Sequence, residues 1–196
     1  MGDRPGEYRT AQAYTPTTEV SIYGYTAIMD KPKLPEPWLR GTLVEVPPIQ
    51  RAVLHALELA IEDLERWCGS LSDEELNARP GDIPPVAFHI RHIGRSTDRL
   101  LTYAEEKVLT SEQISAMKNE LEPGATCARL FSELDRELKS AAERIRAFSE
   151  ADFAEPRSVG RQQLPTTLGG LIVHVADHTQ RHVGQAIITA KIVRQT

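Results

Sequence analysis

Leu171-Ile-Val-His-Val-Ala-Asp-His-Thr-Gln-Arg-His-Val-Gly-Gln185 is the stretch whose reading decides the fold. It holds His174, His178 and His182, four residues apart. On a helix each step of four turns the side chain by about 40° and climbs about 6 Å. His178 and His182 then project from one face, one turn apart, as two imidazoles sharing a metal ion must. A second segment, Phe88-His-Ile-Arg-His-Ile-Gly94, carries His89 and His92, so five of the six histidines of the chain lie in two short stretches. The pattern predicts an all-α protein, a helical bundle built to hold a metal between two of its helices.

The rest of the chain supplies the other helices. A first helix is expected from Ile49 to Cys68, behind Pro47-Pro48, which suits a helix start. Its buried stripe is Leu54, Leu57, Ala60, Ile61, Leu64 and Trp67, and Gly69 follows its last turn. Ser70 to Leu76 reads as a short capped turn, with Ser72 and Glu75 as reciprocal partners. A second helix is expected from about Ile83 to Lys107, with Asp82 as N-cap and Pro84-Pro85 in its first turn. A short helix, Ser111 to Asn119, and Pro123-Gly124 then fill a connection long enough to be a crossover. A third helix runs from Ala125 or Thr126 to about Phe148, with Leu130, Phe131, Leu134, Leu138, Ala141, Ala142, Ile145 and Phe148 on its apolar face. Arg157 to Leu164 reads as a small hairpin or loop, and Thr166 or Thr167 caps a fourth helix reaching Val193. Residues 1–48 stand apart as an irregular N-terminal arm, with seven of the thirteen prolines and five of the eleven aromatics. Val20 to Tyr25 alternates like a short strand, and Lys31 to Trp38 reads as extended. The aromatics favour an arm that packs on the bundle or on a second subunit.

Bulk properties remove several function classes. Net charge is −5 with both signs interspersed, against the clustered basic face of a nucleic-acid binder or a polybasic membrane-surface protein. No apolar run approaches the ~20 residues that span a bilayer. The N-terminus lacks a basic-then-apolar leader, so a cytoplasmic location is expected. Cys68 and Cys127 form no CxxC and read as reduced, partly buried thiols.

One residue from a neighbouring helix would complete a facial triad with His178 and His182. His92 and His89 compete for that place, about 60° apart on their helix. Gly94 and Gly184 reduce bulk beside His92 and His182, which is expected to let the two helices approach. Three imidazoles leave a coordination position open, in the style of catalytic rather than structural sites. A bound ion would make a water or thiol acidic. His174 and His89 are then candidates for orienting ligands, moving protons or binding substrate, and Gln185 for a hydrogen bond just outside the ligands. Asp177 points about 100° away from His178 and reads as a surface charge. No glutamate follows the first histidine of HxxxH, so this is not the HExxH protease motif. His55 stands alone on the first helix and reads as a packing residue.

His174-Val-Ala-Asp-His-Thr-Gln-Arg-His-Val-Gly-Gln185 resembles the signature of the DinB/YfiT-like family, and Ile90 to Leu100 is similar to that family's first metal motif. Position by position, the resemblance makes His92, His178 and His182 the ligands. It covers residues 49–194 and leaves the arm outside. It implies an up-down-down-up four-helix bundle with a long crossover between helices 2 and 3, often homodimeric. It also implies a divalent ion such as zinc, nickel or iron, and for some members a low-molecular-weight thiol used to transfer or isomerise groups on a small-molecule substrate. Water in place of the thiol would make a hydrolase, and a non-catalytic stress protein binding metal or small ligands is the other class. The chain departs at Val183, where the family often has an arginine, so an anion contact at that point is not expected here.

Overall fold

The computed structural model describes residues 34–195. The strand expected at Val20 to Tyr25, and most of the N-terminal arm, lie outside the described residues. Four long helices carry the core: α1 (Pro48–Cys68), α3 (Val86–Ala104), α5 (Cys127–Ala147) and α6 (Leu168–Val193). Two short ones, α2 (Asp73–Asn77) and α4 (Ser111–Lys118), lie in the connections. Strands β1 (Pro156–Val159) and β2 (Leu164–Thr167) form an antiparallel hairpin with Pro156 opposite Thr167. Among the described residues the fold is all-α apart from this hairpin. Helices α1 and α3 each pack against both α5 and α6. No helix among the described residues is long and apolar enough to cross a membrane.

The apolar stripes meet in one core. Leu54, Leu57, Ala60 and Leu64 of α1 face Leu134, Leu138 and Ile145 of α5, Ile90 and Ile93 of α3, and Ile172, Val175 and Ala186 of α6 within it. Trp67 is only partly buried; its ring lies under the Lys191 ammonium, 4.5 Å from the centroid. Helix ends are satisfied as the side chains allow. Ser72 and Glu75 form the expected capping box on α2, Thr126 caps α5, and Thr167 caps α6 by accepting from the Gly170 amide at 3.0 Å. Buried Gln50 reaches from α1 to the last turn of α5, donating to the carbonyls of Ile145 (2.6 Å) and Phe148 (2.8 Å). Arg157 of the hairpin does the same for α3, donating to the Ala104 carbonyl at 2.8 Å.

The second long helix departs from its expected bounds at both ends. It begins at Val86 rather than Ile83, and Asp82 is not its cap. Ile83 precedes Pro84, which precedes Pro85, and a following proline biases a residue out of the helical region. Ile83 is accordingly extended (φ −67°, ψ 141°), and Asp82 ends a 3-10 turn at φ +64°. The helix stops at Ala104, short of Lys107, because the chain turns left-handed at Glu106 (φ +59°). In the Lys31 to Trp38 stretch, Pro37–Leu39 forms a 3-10 turn where extended chain was expected. The adjoining Arg40 pairs with Glu62 through both terminal nitrogens, at 2.6 and 2.7 Å.

Both cysteines are free, as expected. Burial pushes the Cys68 thiol up to about 11, so it is no thiolate at neutral pH. Cys127 donates to the Gly69 carbonyl at 3.5 Å. His55 is a buried packing residue bonded to the Thr42 hydroxyl at 3.1 Å.

Candidate metal centre

The contact between α3 and α6 brings three histidines together. His178 and His182 project from one face of α6, with ring centroids 4.7 Å apart. His92 of α3 faces both, its centroid 5.0 Å from that of His178 and 4.3 Å from that of His182. Each of the three offers a ligand atom within 4.8 Å of the other two, so together they could hold one metal ion. Nε2 of His92 lies 2.9 Å from Nε2 of His178. An ion with bonds of about 2.1 Å holds its nitrogens about 3 Å apart at right angles and about 3.4 Å apart in a tetrahedron. The two rings sit at that spacing.

The tautomer of His92 is set from outside the cluster. Its Nδ1 lies 2.6 Å from Oε2 of Glu120, a buried carboxylate just past the end of α4. Glu120 accepts a second hydrogen bond at Oε1 from buried Arg99, at 2.8 Å. Burial alone would raise the Glu120 carboxyl; the hydrogen bonds from His92 and Arg99 outweigh it and hold the group below its ordinary value. An ionised carboxylate only accepts, so Nδ1 of His92 carries a hydrogen, and in the neutral ring that leaves the Nε2 lone pair for the cluster. A carboxylate bonded to the far nitrogen of a ligating histidine is the usual way such a ligand is oriented and made more basic. The loop carrying Glu120 is pinned in turn, since Arg91 donates to the carbonyls of Glu120 (3.3 Å) and Glu122.

His178 and His182 are each lowered to about 4, first by burial and then by the repulsion a charged ring would meet from its neighbours. At neutral pH both are unprotonated, the form a metal needs. His89, also lowered to about 4 by burial, is not among the three. Its Nδ1 lies 3.1 Å from Nδ1 of His182. The competition for the third position therefore falls to His92 by geometry.

The remaining expected residues lie around this cluster. His174 is half-exposed one turn before His178, 5.5 Å between centroids, and beside Asp177 at 3.6 Å. Asp177 is a surface charge paired with Arg181. Gln185 is exposed and makes no hydrogen bond to the three histidines among the described residues; it borders an apolar groove with His89 and His182. The expected role of the glycines is corrected. A Cβ on Gly94 would meet the Glu137 carboxylate of α5, not α6, and a Cβ on Gly184 would meet nothing within 4 Å. Neither glycine sets the approach of α3 to α6.

Glu120 and Arg99 escaped the sequence reading. Glu120 sits in an irregular connection with no periodicity to mark it. Arg99 carried a usable signal: it lies seven residues after His92, on the same inward stripe of α3, where a charged side chain needs a partner.

No curated protein matches the chain. The family model of the DinB superfamily matches residues 56–186, from the third turn of α1 into the last third of α6, and takes in all three clustered histidines. With that match across more than half of its length, the chain belongs to the DinB superfamily.

Proposed function

We propose that this protein is a divalent-metal-dependent enzyme in which His92, His178 and His182 hold the ion and a thiol or water serves as nucleophile for group transfer or isomerisation. The convergence of three imidazoles from two helices, with Nδ1 of His92 engaged by Glu120, carries the reading. Three protein ligands leave room for an incoming group. A bound ion would supply Lewis acidity, making a thiol or water at that place nucleophilic near neutral pH. The resemblance to DinB/YfiT-like proteins favours zinc or nickel, then iron, and a low-molecular-weight thiol.

The residues of the chain divide the work. Glu120, held by Arg99, keeps the His92 lone pair aimed at the cluster. His89 holds the outer nitrogen of His182. Half-exposed His174 is placed to pass protons between the site and solvent. Gln185 is placed at the groove where a substrate or thiol would enter. Among the described residues no free carboxylate adjoins the three histidines to serve as a base for water, so the thiol reading stands ahead of the hydrolase reading. The up-down-down-up order, the separate arm of residues 1–48, a homodimer and a cytoplasmic location complete this reading.

The test is turnover of a panel of small electrophiles by metal-loaded protein, with and without mycothiol, bacillithiol or glutathione. Turnover needing both metal and thiol supports the proposal. Turnover with metal alone makes the protein a hydrolase. Metal-bound protein inert in every pairing makes it a binding protein and ends the catalytic reading.

A further inference from the structure

His89 is 3% exposed, yet its Nε2 has no hydrogen-bond partner. Buried ring nitrogens are rarely left so, because the lost hydration is not replaced. Which form Nε2 takes follows from the neighbouring ring. On the metal-centre reading, His182 gives Nε2 to the ion, so its hydrogen is on Nδ1. That hydrogen is donated across 3.1 Å to Nδ1 of His89. Neutral His89 then carries its own hydrogen on Nε2, a buried donor without an acceptor.

His89 also lines a groove of about 570 Å³ between the start of α3 and the second half of α6, within the size range of small-molecule sites. Its walls are Pro84, Phe88 and Ile188, and His182 stands beside His89. Gly184 leaves one side bare, since a Cβ there would touch nothing. The one charged residue lining the groove, Arg181, is already paired with Asp177. Among the described residues the groove therefore offers apolar surface, the exposed Gln185 amide and no free charge, with the orphan nitrogen of His89 buried in the wall beside the histidine cluster.

We propose that this groove is a substrate subsite for a small uncharged molecule with an apolar body and one hydrogen-bond acceptor of the carbonyl type, received by the Nε2–H of His89. The proposal rests on the metal-centre reading for the position of that hydrogen. It places the polar end of the substrate next to His182 and leaves the apolar end along Phe88 and Ile188. Nε2 is closed to water, so a carbonyl oxygen pairs with it only as the side chains of the groove wall yield, whereas a helix face of a second copy would cover the rim and leave Nε2 unpaired. His89 acts here as a binding and specificity residue.

Two probes of one shape test this: 4-phenyl-2-butanone, which has the acceptor, and butylbenzene, which lacks it. Each is titrated into zinc-loaded full-length protein, into His89→Phe and into Gly184→Leu, with metal content and oligomeric state measured in parallel. The expected result is a roughly tenfold weaker affinity for the ketone in His89→Phe, with the hydrocarbon changed less than about twofold. Gly184→Leu should weaken both probes. Equal losses for the two probes in His89→Phe, or no binding of either to zinc-loaded wild type, would overturn the proposal. So would a Gly184→Leu protein that binds both probes as before while its oligomeric state changes, which would mark the groove as a contact between copies. Wild type that holds no metal yet still discriminates through His89 keeps the groove and sinks the metal reading; metal-loaded protein that does not discriminate does the reverse.

Discussion

Glu120→Gln exchanges one carboxylate oxygen for an amide nitrogen while keeping the shape of the side chain. In the native structure Oε2 lies 2.6 Å from Nδ1 of His92, and Oε1 lies 2.8 Å from Arg99. Both partners are donors, and an amide has one oxygen for the two of them. If its oxygen serves His92, its NH₂ faces the guanidinium. If it serves Arg99, the NH₂ faces Nδ1 of His92, drives the imidazole hydrogen onto Nε2 and blocks the lone pair aimed at His178. Loss of such an orienting carboxylate typically lowers metal affinity by about 10–100-fold, or roughly 1.4–2.7 kcal/mol. The fold weakens as well, because Arg99 is 9% exposed and loses its counter-charge. A fully buried broken pair costs about 3–5 kcal/mol; some access to solvent brings the expectation here to about 1–3 kcal/mol. Competition with a chromogenic chelator for zinc at pH 7.5 reads the first quantity, and denaturant unfolding of metal-free protein reads the second. A folded Glu120→Gln protein with wild-type zinc affinity would refute the assigned tautomer of His92.

Other consequences follow from the same geometry. Gln50→Leu removes the donors that serve the Ile145 and Phe148 carbonyls, and denaturant unfolding should show a loss of about 1–3 kcal/mol. Glu137 is raised to about 7, chiefly by burial, with Arg95 and Arg136 opposing. A carboxyl raised on folding contributes its full stability below the unfolded value and loses it as pH rises through 7. Glu137→Gln should therefore gain on wild type between pH 5 and 8, by about 1–2 kcal/mol allowing for partial solvent access, in paired unfolding curves; a constant difference across that range would contradict it. Gly94→Ala should push the Glu137 carboxylate outward, since the added Cβ falls on its Oε2, and should return its titration toward 4.5, as carboxyl NMR would read directly.

The parts of the fold legible in the sequence are those written in local periodicity. The stripe of α5, the capping box of Ser72 and Glu75, the Thr167 cap and the one-face placement of His178 and His182 all depend on residues within two turns of one another. The start of α3 departs from its periodicity because a proline pair suits a first turn in one register and forbids the residues before it in another; here the second effect wins at Ile83. The choice between His92 and His89 needed information from far along the chain. The two differ by about 60° on one helix; what separates them is the packing of α3 on α6, which brings His92 to His178 and His182, and Glu120, 28 residues beyond His92 in an irregular segment, which engages that ring. Gly94 misled for a related reason: its bare face is turned to α5, and no pattern within α3 says which neighbour a small residue will meet.

The central claim is that His92, His178 and His182 bind one ion jointly. Metal analysis of protein purified without an affinity tag, as wild type and as His92→Ala, His178→Ala, His182→Ala and His174→Ala, tests it most directly. The account predicts about one divalent ion per chain in wild type and in His174→Ala, and a small fraction of that in each of the other three. Wild-type protein that stays free of metal after dialysis against zinc or nickel, or ion content unchanged in the three variants, would contradict it.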